Sequence, residues 1–456
     1  MGQGFLFLFL SAVALVPAHG HACDVTEFGA KGDGKTKDTA AIQKTIDECS
    51  ARGGGIVYLP SGTYLSGTLR LRSRITLFIS PGATLLGSTD PADFDPPHLV
   101  VADDVEQVAI EGGGTIQGQG RFFWTENFRP RPKRPGPYLV FNRCRQIRIE
   151  NIHIYETPGW GIKPSECDGV LIRGVTMRSD LRGPNTDGID PDSSRNVMIS
   201  DCHIETGDDA ICLKSHGGKP VEDVVVTNCV LKSDDSGFKL GTSGDGDFRR
   251  ITVSNSVIFG SRYGLTMFIK DGPTVEGVSF SNIQIETAGR AEYPILIDLE
   301  KRTPQSRVGR IRDISFSDIR MTGAGRVLVS GMPESPLENL VFRNVSIRAT
   351  GAPDVSQSHK PRGVSGMAPA APELDFASVP AYYIFAHARS VTLRDIGVDT
   401  DLPTERHAVY AAGVERLTVD GLRAQKKGRL AVVGLVNTNA SEVRAAWTEG
   451  EVHPHP

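Results

Sequence analysis

The stretch Val197-Met198-Ile199-Ser200-Asp201-Cys202 carries the pattern that decides the fold. Apolar residues alternate, then an Asn, Asp or Gly follows, then a small or apolar residue. Alternation with a period of two, bounded by turn residues, is typical of β-strands, and a constant spacing of this size indicates a solenoid. Copies of the pattern end 27 residues apart, at Val175, Cys202, Cys229, Ser256 and Ile283. The sequence therefore predicts an all-β chain, a single-stranded right-handed parallel β-helix of about ten coils.

The polar residue near the end of each copy is expected to occupy a left-handed turn and to stack on its equivalents above and below. Short β-branched runs exclude helical repeats. The one convincing amphipathic helix is Thr39–Ala51, with Ile42 and Ile46 on the same face. We expect it to cap an open end of the solenoid, because exposed edge strands promote aggregation.

Two intervals interrupt the period, and they predict loop insertions at about residues 290–307 and 350–373. The second is rich in Pro, Ala, Gly and Ser, as surface loops are. Residues 23–456 are otherwise predicted to form a single β-helix domain. The segment Arg129–Pro137 contains four Pro and four basic residues. It is either a solvated loop or the rim of a cleft.

Bulk charge argues against nucleic acid or a membrane as partner, since the net charge is −4 with 23% charged residues. Any acidic ligand must then be bound by local cations. Residues 1–22 are predicted to be a signal peptide, because an apolar run precedes small residues at Ala18, Gly20 and Ala22. That run is too short to span a membrane. A secreted or periplasmic protein is expected, and a lipid anchor at Cys23 is the poorer match.

The seven cysteines are an odd number, so at least one is unpaired within the chain. No Cys-x-x-Cys spacing occurs, and we predict neither a metal site nor a cofactor. Cys202 and Cys229 occupy equivalent repeat positions and are expected to be stacked core thiols. Cys23 and Cys49 are the best candidates for a disulfide.

Acidic residues cluster in two successive copies of the repeat, Asn185-Thr186-Asp187-Gly188 and Gly207-Asp208-Asp209-Ala210. Aligning the copies places Asp187 over Asp209, and neighbouring coils lie roughly 4.8 Å apart. Like charges that close raise one another's pKa values, which allows one site to hold an acid and a base together. Consecutive residues of a strand point to opposite faces. A turn at Gly207 is therefore expected to bring Asp208 and Asp209 to the same site.

These two motifs, set in such repeats, resemble glycoside hydrolase family 28, which includes the polygalacturonases and rhamnogalacturonan hydrolases. The opening Phe28–Gly34 and the following Asp38–Gln43 are also similar, although other β-helix proteins share them. The resemblance implies hydrolysis of a glycosidic bond with inversion. It implies Asp208 as the general acid and Asp187 with Asp209 as the pair that activates water. Inversion leads us to expect an acid and a base about 6.5–9.5 Å apart.

The chain departs from the polygalacturonase pattern in the next two coils. Ser236 follows Asp209 by 27 residues, in a stretch where the family has Gly-His-Gly, and Tyr263 follows Ser236 by another 27. Lys270 matches the lysine of the family's Arg-Ile-Lys motif, but Phe268 stands in place of its arginine. Both departures are similar to the rhamnogalacturonan hydrolase branch, so the choice between homogalacturonan and rhamnogalacturonan stays open.

Several polar side chains near the aspartates are predicted to bind substrate. Asp190 is expected to be a buried brace and His216 a solvated loop residue. Trp124 and Trp160 either stack on sugar rings or belong to the core. The predicted substrate-binding residues are Asn185, Lys214, Ser236, Lys239, Tyr263 and Lys270.

The sequence thus predicts a secreted, monomeric, inverting glycoside hydrolase that cleaves galacturonic-acid-containing bonds of a pectic polysaccharide or oligosaccharide. One alternative is a calcium-dependent, pectate-lyase-like polysaccharide lyase on the same kind of solenoid, which needs a cage of carboxylates for the metal. The other alternative is a carbohydrate-binding β-helix without catalysis.

Overall fold

The computed structural model describes residues 22–288, 293–351, 376, 379–401, 405–425, 429–444, 447–449 and 453–454. The predicted signal peptide, apart from Ala22, and nearly all of the predicted insertion at 350–373 lie outside these residues. Within them the chain is a right-handed parallel β-helix, as predicted. Its strands form three parallel sheets in which each strand pairs with its equivalents one coil earlier and one coil later.

The strand bounds are as follows. The first sheet stacks Ala22–Asp24, Gly55–Leu59, Ile75–Ile79, Glu106–Glu111, Arg145–Glu150, Asp168–Arg173, Arg195–Ser200, Val221–Thr227, the first parts of the long strands Phe248–Ser261, Thr274–Thr287, Arg310–Gly323 and Glu338–Ala349, the second parts of Ala381–Arg394 and His407–Asp420, and Ala440–Arg444. The second sheet stacks Asp33–Lys37, Gly62–Ser66, Ala83–Gly87, Thr115–Gln117, His153–Tyr155, Thr176–Arg178, His203–Thr206, Val230–Ser233, the second parts of the first four long strands, Gly397–Thr400, Arg423–Gln425 and Trp447–Glu449.

The third sheet stacks Leu69–Arg70, Val100–Asp103, Leu139–Asn142, Ile162–Ser165, Ile211–Ser215, Ser236–Gly244, Tyr263–Ile269, Tyr293–Leu299, Val327–Ser330, the first parts of Ala381–Arg394 and His407–Asp420, Val433–Val436 and His453–Pro454. Isolated bridges at Ile189 and Asp192 continue it between the fourth and fifth of these strands. One α-helix, α1, spans Thr39–Ala51, and short 3-10 helices span Val25–Phe28, Pro91–Asp93 and Gly120–Phe123.

The stack is longer than the predicted ten or so coils, because fifteen strands or parts of strands pair successively in the first sheet of the described residues. The early coils vary in length: Gly55 pairs with Ile75 20 residues later, whereas Thr76 pairs with Ala109 33 residues later, and the sequence there lacks the Asn-terminated pattern. A search for a period of 27 residues therefore detects only the regular coils.

Inward-facing residues of successive coils stack in columns and form one continuous core. Val197, Val224 and Ile251 are partners in the first sheet, and each is at most 2% exposed. The rings of Phe280, Phe316 and Phe342 stack with centroids 4.9 and 4.6 Å apart. Each such pair contributes about 0.5–1.5 kcal/mol beyond its buried area. Each coil thus covers the apolar face of the next, as a solenoid requires.

The predicted polar column is confirmed. Asn228, Asn255 and Asn282 have φ values of 56, 51 and 52°, in the left-handed region. The side-chain amide of Asn282 donates to Asn255 Oδ1 at 2.9 Å, and that of Asn228 donates to Asp201 Oδ1 at 3.3 Å. The residue that makes each turn therefore also links it to the turn in the preceding coil.

One loop prediction was wrong in part. Residues 293–299 were assigned to an insertion, but Tyr293–Leu299 is a strand of the third sheet with all seven residues buried. A strand covered on both faces is apolar throughout and lacks the alternation that marks a half-exposed strand. Of the described residues in the predicted interval, only those after Leu299 lie outside a strand.

Helix α1 packs on the first strands with Ile42, Ile46 and Cys49 buried, which confirms the predicted capping helix. No disulfide joins Cys23 and Cys49, which are both buried, so the suggested disulfide is not observed. Cys202 and Cys229 are buried free thiols, as predicted. Among the described helices, none has the length and apolarity that crossing a membrane requires.

Replacement of Asn282 tests the polar column. Asn282→Ala should lower the unfolding free energy by about 1–2 kcal/mol, because alanine tolerates the left-handed region poorly and the amide hydrogen bond is lost. Asn282→Gly loses only the hydrogen bond and should be the more stable variant. Denaturant unfolding followed by circular dichroism measures both, with Ser281→Ala as the neighbouring control. Equal losses for Ala and Gly would contradict the conformational explanation.

Candidate active site

The predicted superposition of the aspartates is confirmed by the backbone. The amide of Gly188 donates to Asp209 O at 2.9 Å, which places Asp187 next to Asp209 in adjacent coils. The amide of Ala210 donates to Ser236 O at 2.9 Å, and Ser236 pairs with Tyr263. The steps counted along the sequence are therefore the steps of the stack.

A turn brings Asp208 and Asp209 to one site, as expected. One strand ends at Thr206 and the next begins at Ile211. The backbone carbonyl of Asp208 accepts hydrogen bonds from Thr206 Oγ1 at 2.8 Å and Ser233 Oγ at 2.7 Å. A Cβ atom on Gly207 would lie 2.6 Å from Gly183 O, so this close approach requires glycine.

The three carboxylates crowd together as the sequence predicts. One oxygen each of Asp187, Asp208 and Asp209 lies within 4.8 Å of the others. Asp187 and Asp209 are 3% and 2% exposed, whereas Asp208 is only half-buried. The separation of about 6.5–9.5 Å expected of inversion is therefore not observed between these oxygens. The physical reason is that Asp208 and Asp209 are consecutive residues of one tight turn.

The electrostatic environment separates the roles of the neighbouring aspartates. Burial, and then the charges of Asp187 and Asp209, raise the pKa of Asp208 well above its ordinary value. Burial alone would also raise the pKa of Asp209, but Lys239 and then Lys214 outweigh it and hold that pKa below its ordinary value. Lys239 Nζ lies 2.8 Å from Asp209 Oδ2. The site thus combines a carboxyl whose pKa is raised with one whose pKa is lowered.

Asp187, like Asp208, is a carboxyl of raised pKa. Its pKa is raised well above the ordinary value, first by burial and then by Asp190, while Lys214 opposes the shift. Asp187 Oδ1 and Asp209 Oδ1 are buried, and neither has a hydrogen-bond partner within the described chain. Each is free to bond a ligand or a water.

Lys214 is held by protein groups. Its Nζ lies 3.1 Å from Cys212 Sγ, 3.3 Å from Asp190 Oδ1 and 3.6 Å from Asp187 Oδ2. Its ammonium also sits 4.7 Å from the ring centroid of Trp160. Asp190 was predicted to be a buried hydrogen-bonding brace; it is fully buried, but neither carboxylate oxygen has a hydrogen-bond partner in the described chain. Its pKa rises to about 6, mainly through burial. Lys214 is therefore placed as an internal counter-charge rather than as a residue open to substrate.

Within the described residues, two groups of side chains have the proximity that metal ligation requires. One is Asp187 with Asp190 and Cys212, and the other is the three aspartates of the site. Lys214 contacts all three members of the first group, and Lys239 pairs with the second through Asp209. Calcium takes about six to eight oxygen ligands. An ammonium already balances each group, so the residues present do not fit a calcium cage.

Besides Lys214, three predicted substrate-binding residues are buried. Ser236 is 0% exposed, and its hydroxyl donates to Asp235 Oδ1 at 3.2 Å. Tyr263 is 6% exposed beneath the guanidinium of Arg262, whose Cζ lies 4.3 Å from the ring centroid. Lys270 is 0% exposed. The prediction of direct substrate contact is corrected for Ser236 and Lys270, because neither reaches the surface.

Lys270 is paired inside the protein. Its ammonium contacts the carboxylate of Glu300, which is 1% exposed, and lies 4.3 Å from the ring centroid of Phe268. Burial first, and then Asp298, raise the pKa of Glu300 to about 8. Phe268, which stands in place of the family's arginine, therefore lies beside a lysine whose charge is paired inside the protein.

The tryptophans and His216 are also placed. Trp124 is 1% exposed and donates from Nε1 to Pro158 O at 2.7 Å, so it belongs to the core. Trp160 is half-buried beside Lys214. His216 is exposed, as predicted, but it also contacts Asp192, with 2.9 Å between Nδ1 and Oδ2. Of the two aromatics, only Trp160 is available at the site.

Arg134 is the site residue that the motifs missed. It lies in the segment Arg129–Pro137, and its guanidinium donates to Pro158 O, Pro184 O and Asn185 Oδ1. Asn185 itself is exposed, with a φ of 53°. Of the two readings of this segment, the structure favours the rim of a cleft. The basic composition was the only sequence signal.

Comparison with known proteins agrees with this geometry. A model of glycosyl hydrolases family 28 matches residues 49–365. A probable polygalacturonase of Vitis vinifera is 34% identical over 223 residues, covering 44% of this chain and 45% of that protein. Polygalacturonase-2 of Solanum lycopersicum is 27% identical over 361 residues, covering 74% and 76% respectively.

Among solved structures, that of an exopolygalacturonase from Thermotoga maritima has a TM-score of 0.65 at 24% identity, and the match covers 73% of this chain and 87% of that one. This likeness concerns the fold. The chain spans just under half the length of the grape protein and of an Arabidopsis thaliana relative. The family model nevertheless covers well over half of the chain, including all three aspartates. The chain belongs to glycosyl hydrolases family 28.

Proposed function

We propose that this protein is a glycoside hydrolase that cleaves galacturonic-acid-containing bonds of pectic polysaccharide. The observation that carries the proposal is the pair Asp208 and Asp209, one carboxyl with a raised pKa and one with a lowered pKa, within 4.8 Å of each other. Glycoside hydrolysis needs this division between an acid and a base. The relatives named polygalacturonases support the choice of substrate class.

In this mechanism Asp208 donates a proton to the leaving glycosidic oxygen, because it is the least buried of the three acids and its pKa is raised. Asp209 accepts a proton from the attacking water through its unpartnered Oδ1. The pKa of Asp187 is also raised, so its role in the pair is to hold that water by a hydrogen bond. The base role thus falls mainly on Asp209.

Inversion of the anomeric centre remains part of the proposal on the strength of family membership. The short distance between the carboxylate oxygens does not support it, since retaining enzymes are the ones with carboxyls only about 5–5.5 Å apart. Proton NMR of the first-formed product distinguishes the two outcomes. A first product of retained configuration would overturn inversion and leave hydrolysis intact.

The rival functions predict different chemistry. A calcium-dependent lyase releases an unsaturated uronide and loses activity with a chelator, and the lysines paired with the acids argue against its metal cage. A binding β-helix without catalysis does not require a buried carboxyl of lowered pKa beside two carboxyls of raised pKa. Secretion, the monomeric state and the choice between homogalacturonan and rhamnogalacturonan stay predictions from the sequence.

The part of the third sheet that substrate can reach beside the aspartates, here called the floor, is short. In the third sheet one outward-facing column runs through Val101, Val140, Lys163, Asp190, Cys212, Lys239, Thr266 and Leu296. Only the side chains of Lys163 and Lys239 exceed 10% exposure in this column, at 21% and 14%. The residues of this column before Lys163 and after Lys239 are buried, so a long polymer does not fit along the stack of coils. We therefore propose that the protein cleaves the polysaccharide near its ends.

Asp208→Asn tests the hydrolase. The amide cannot donate a proton as an acid does, and removing a general acid costs about 10²–10⁴-fold in rate. Release of reducing ends from polygalacturonate and rhamnogalacturonan measures the loss. Asp201→Asn is the matched control, an isosteric change at an exposed aspartate, and it should retain activity. Full activity of Asp208→Asn would exclude the proposed acid, and activity abolished by a chelator would favour the lyase.

The product profile tests the short floor. Digestion of a polymeric substrate should release mono- or disaccharides from the start, with little early fall in viscosity. Chromatography of early time points, with viscometry in parallel, gives the answer. Long oligosaccharides appearing first would indicate attack within the chain and contradict the proposal.

Lys239→Met tests how Asp209 is kept ionised. Without the ammonium the pKa of Asp209 rises, so the acid limb of the kcat/KM profile should move to higher pH by about one unit or more. The alkaline limb should not move to lower pH, because Lys239 also lowers the pKa of Asp208. Lys219→Met, which breaks an exposed ion pair, is the control. An unmoved acid limb in folded Lys239→Met would contradict this role.

A further inference from the structure

Arg134 has the features of a ligand-binding residue, and no sequence motif assigned it a role. Its side chain is half-buried, yet it forms no ion pair with any residue in the described part of the chain. Its three acceptors are the carbonyls of Pro158 and Pro184 and the side-chain oxygen of Asn185. All are neutral, so the positive charge of Arg134 is uncompensated by direct contact.

The hydrogen bonds leave a defined part of the guanidinium open. Nη1 donates to both carbonyls and so uses its two hydrogens, while Nη2 donates once, to Asn185 Oδ1 at 3.4 Å. Of the five N–H donors of an arginine, the Nε hydrogen and one Nη2 hydrogen remain. Two parallel donors of this kind bind a carboxylate in bidentate fashion.

Arg134 is also fixed beside the catalytic turn. Its acceptors Pro184 and Asn185 directly precede Thr186 and Asp187. The field of Asp187 acts on Arg134, while burial lowers the arginine's own pKa. Asp187 forms no ion pair with Arg134 within the described residues, and its carboxylate lies 3.6 Å from Lys214 Nζ instead. An anionic ligand at the cleft would supply the counter-charge.

We infer that Arg134 binds the carboxylate of an acidic sugar and thereby selects galacturonate over its neutral ester. The inference rests on the proposed function for its substrate class. Other cations of the site are already used: Lys270 pairs with Glu300, and Lys214 with Asp190 and Asp187. Arg134 therefore supplies the bidentate contact that Phe268, standing in place of an arginine, does not.

The test compares acidic with methyl-esterified oligogalacturonates, in binding and in turnover. Arg134→Gln should lower kcat/KM for the acidic substrate about 10–100-fold, the loss expected for a charge-assisted hydrogen-bonded pair. It should change kcat/KM for the ester less than about threefold. Arg134→Lys keeps the positive charge but lacks the two parallel N–H donors of arginine. Its kcat/KM for the acidic substrate should therefore lie between those of the parent protein and Arg134→Gln. Arg129→Gln, an exposed arginine in the same segment, is the matched control.

Calorimetric binding to the Asp208→Asn variant separates this inference from the proposed function. The acidic oligomer should bind more tightly than the ester, and adding Arg134→Gln should abolish the difference. If the unmodified protein binds the acidic oligomer selectively but does not turn it over, the proposed hydrolase activity is overturned and the inference about Arg134 is retained. Equal losses on both ligands would mean that Arg134 only holds the carbonyls of Pro158 and Pro184, and absence of a charge preference in the parent protein would also overturn the inference.

Discussion

The fixed register of strands in successive coils underlies every other feature of this structure. Parallel strands pair residue by residue through three sheets, so a side chain's position in one coil fixes its neighbours in the next. The polar column fixes the same register at the turns. There Asn282 donates a hydrogen bond to Asn255, and its left-handed conformation lets the chain change direction. A slip of one residue would turn the apolar columns outward, and the carboxylates of Asp187 and Asp209 would then separate.

The active site uses this register to hold charges together that would otherwise repel. Asp187 and Asp209 are adjacent because their coils are adjacent, and Asp208 joins them because the turn at Gly207 breaks the strand. Their mutual repulsion and burial are offset by ammonium groups supplied from the same sheet. Lys239 contacts Asp209 and lowers its pKa, whereas burial and the charges of Asp187 and Asp209 raise the pKa of Asp208, so the pKa values of two consecutive residues shift in opposite directions.

Loops and later coils adapt this common site to its ligand. The segment Arg129–Pro137 brings Arg134 to the catalytic turn, while the coils after Lys239 bury their outward column under apolar and aromatic side chains. Lys270 retains the residue type of the family motif, but it forms an ion pair with Glu300, from a later part of the chain. Acid–base chemistry and sugar recognition are therefore separable properties of this molecule.

The β-helix, the capping helix, the polar column and the crowding of the three aspartates could be predicted from the sequence, because each follows from local periodicity or from aligning successive copies of the repeat. The strand Tyr293–Leu299 could not, since burial on both faces removes the alternation that identifies a strand. The placement of Lys270, Ser236 and Arg134 became known from the three-dimensional structure. Burial and pairing at those positions depend on segments distant in sequence, and no count of residues within the repeat encodes them.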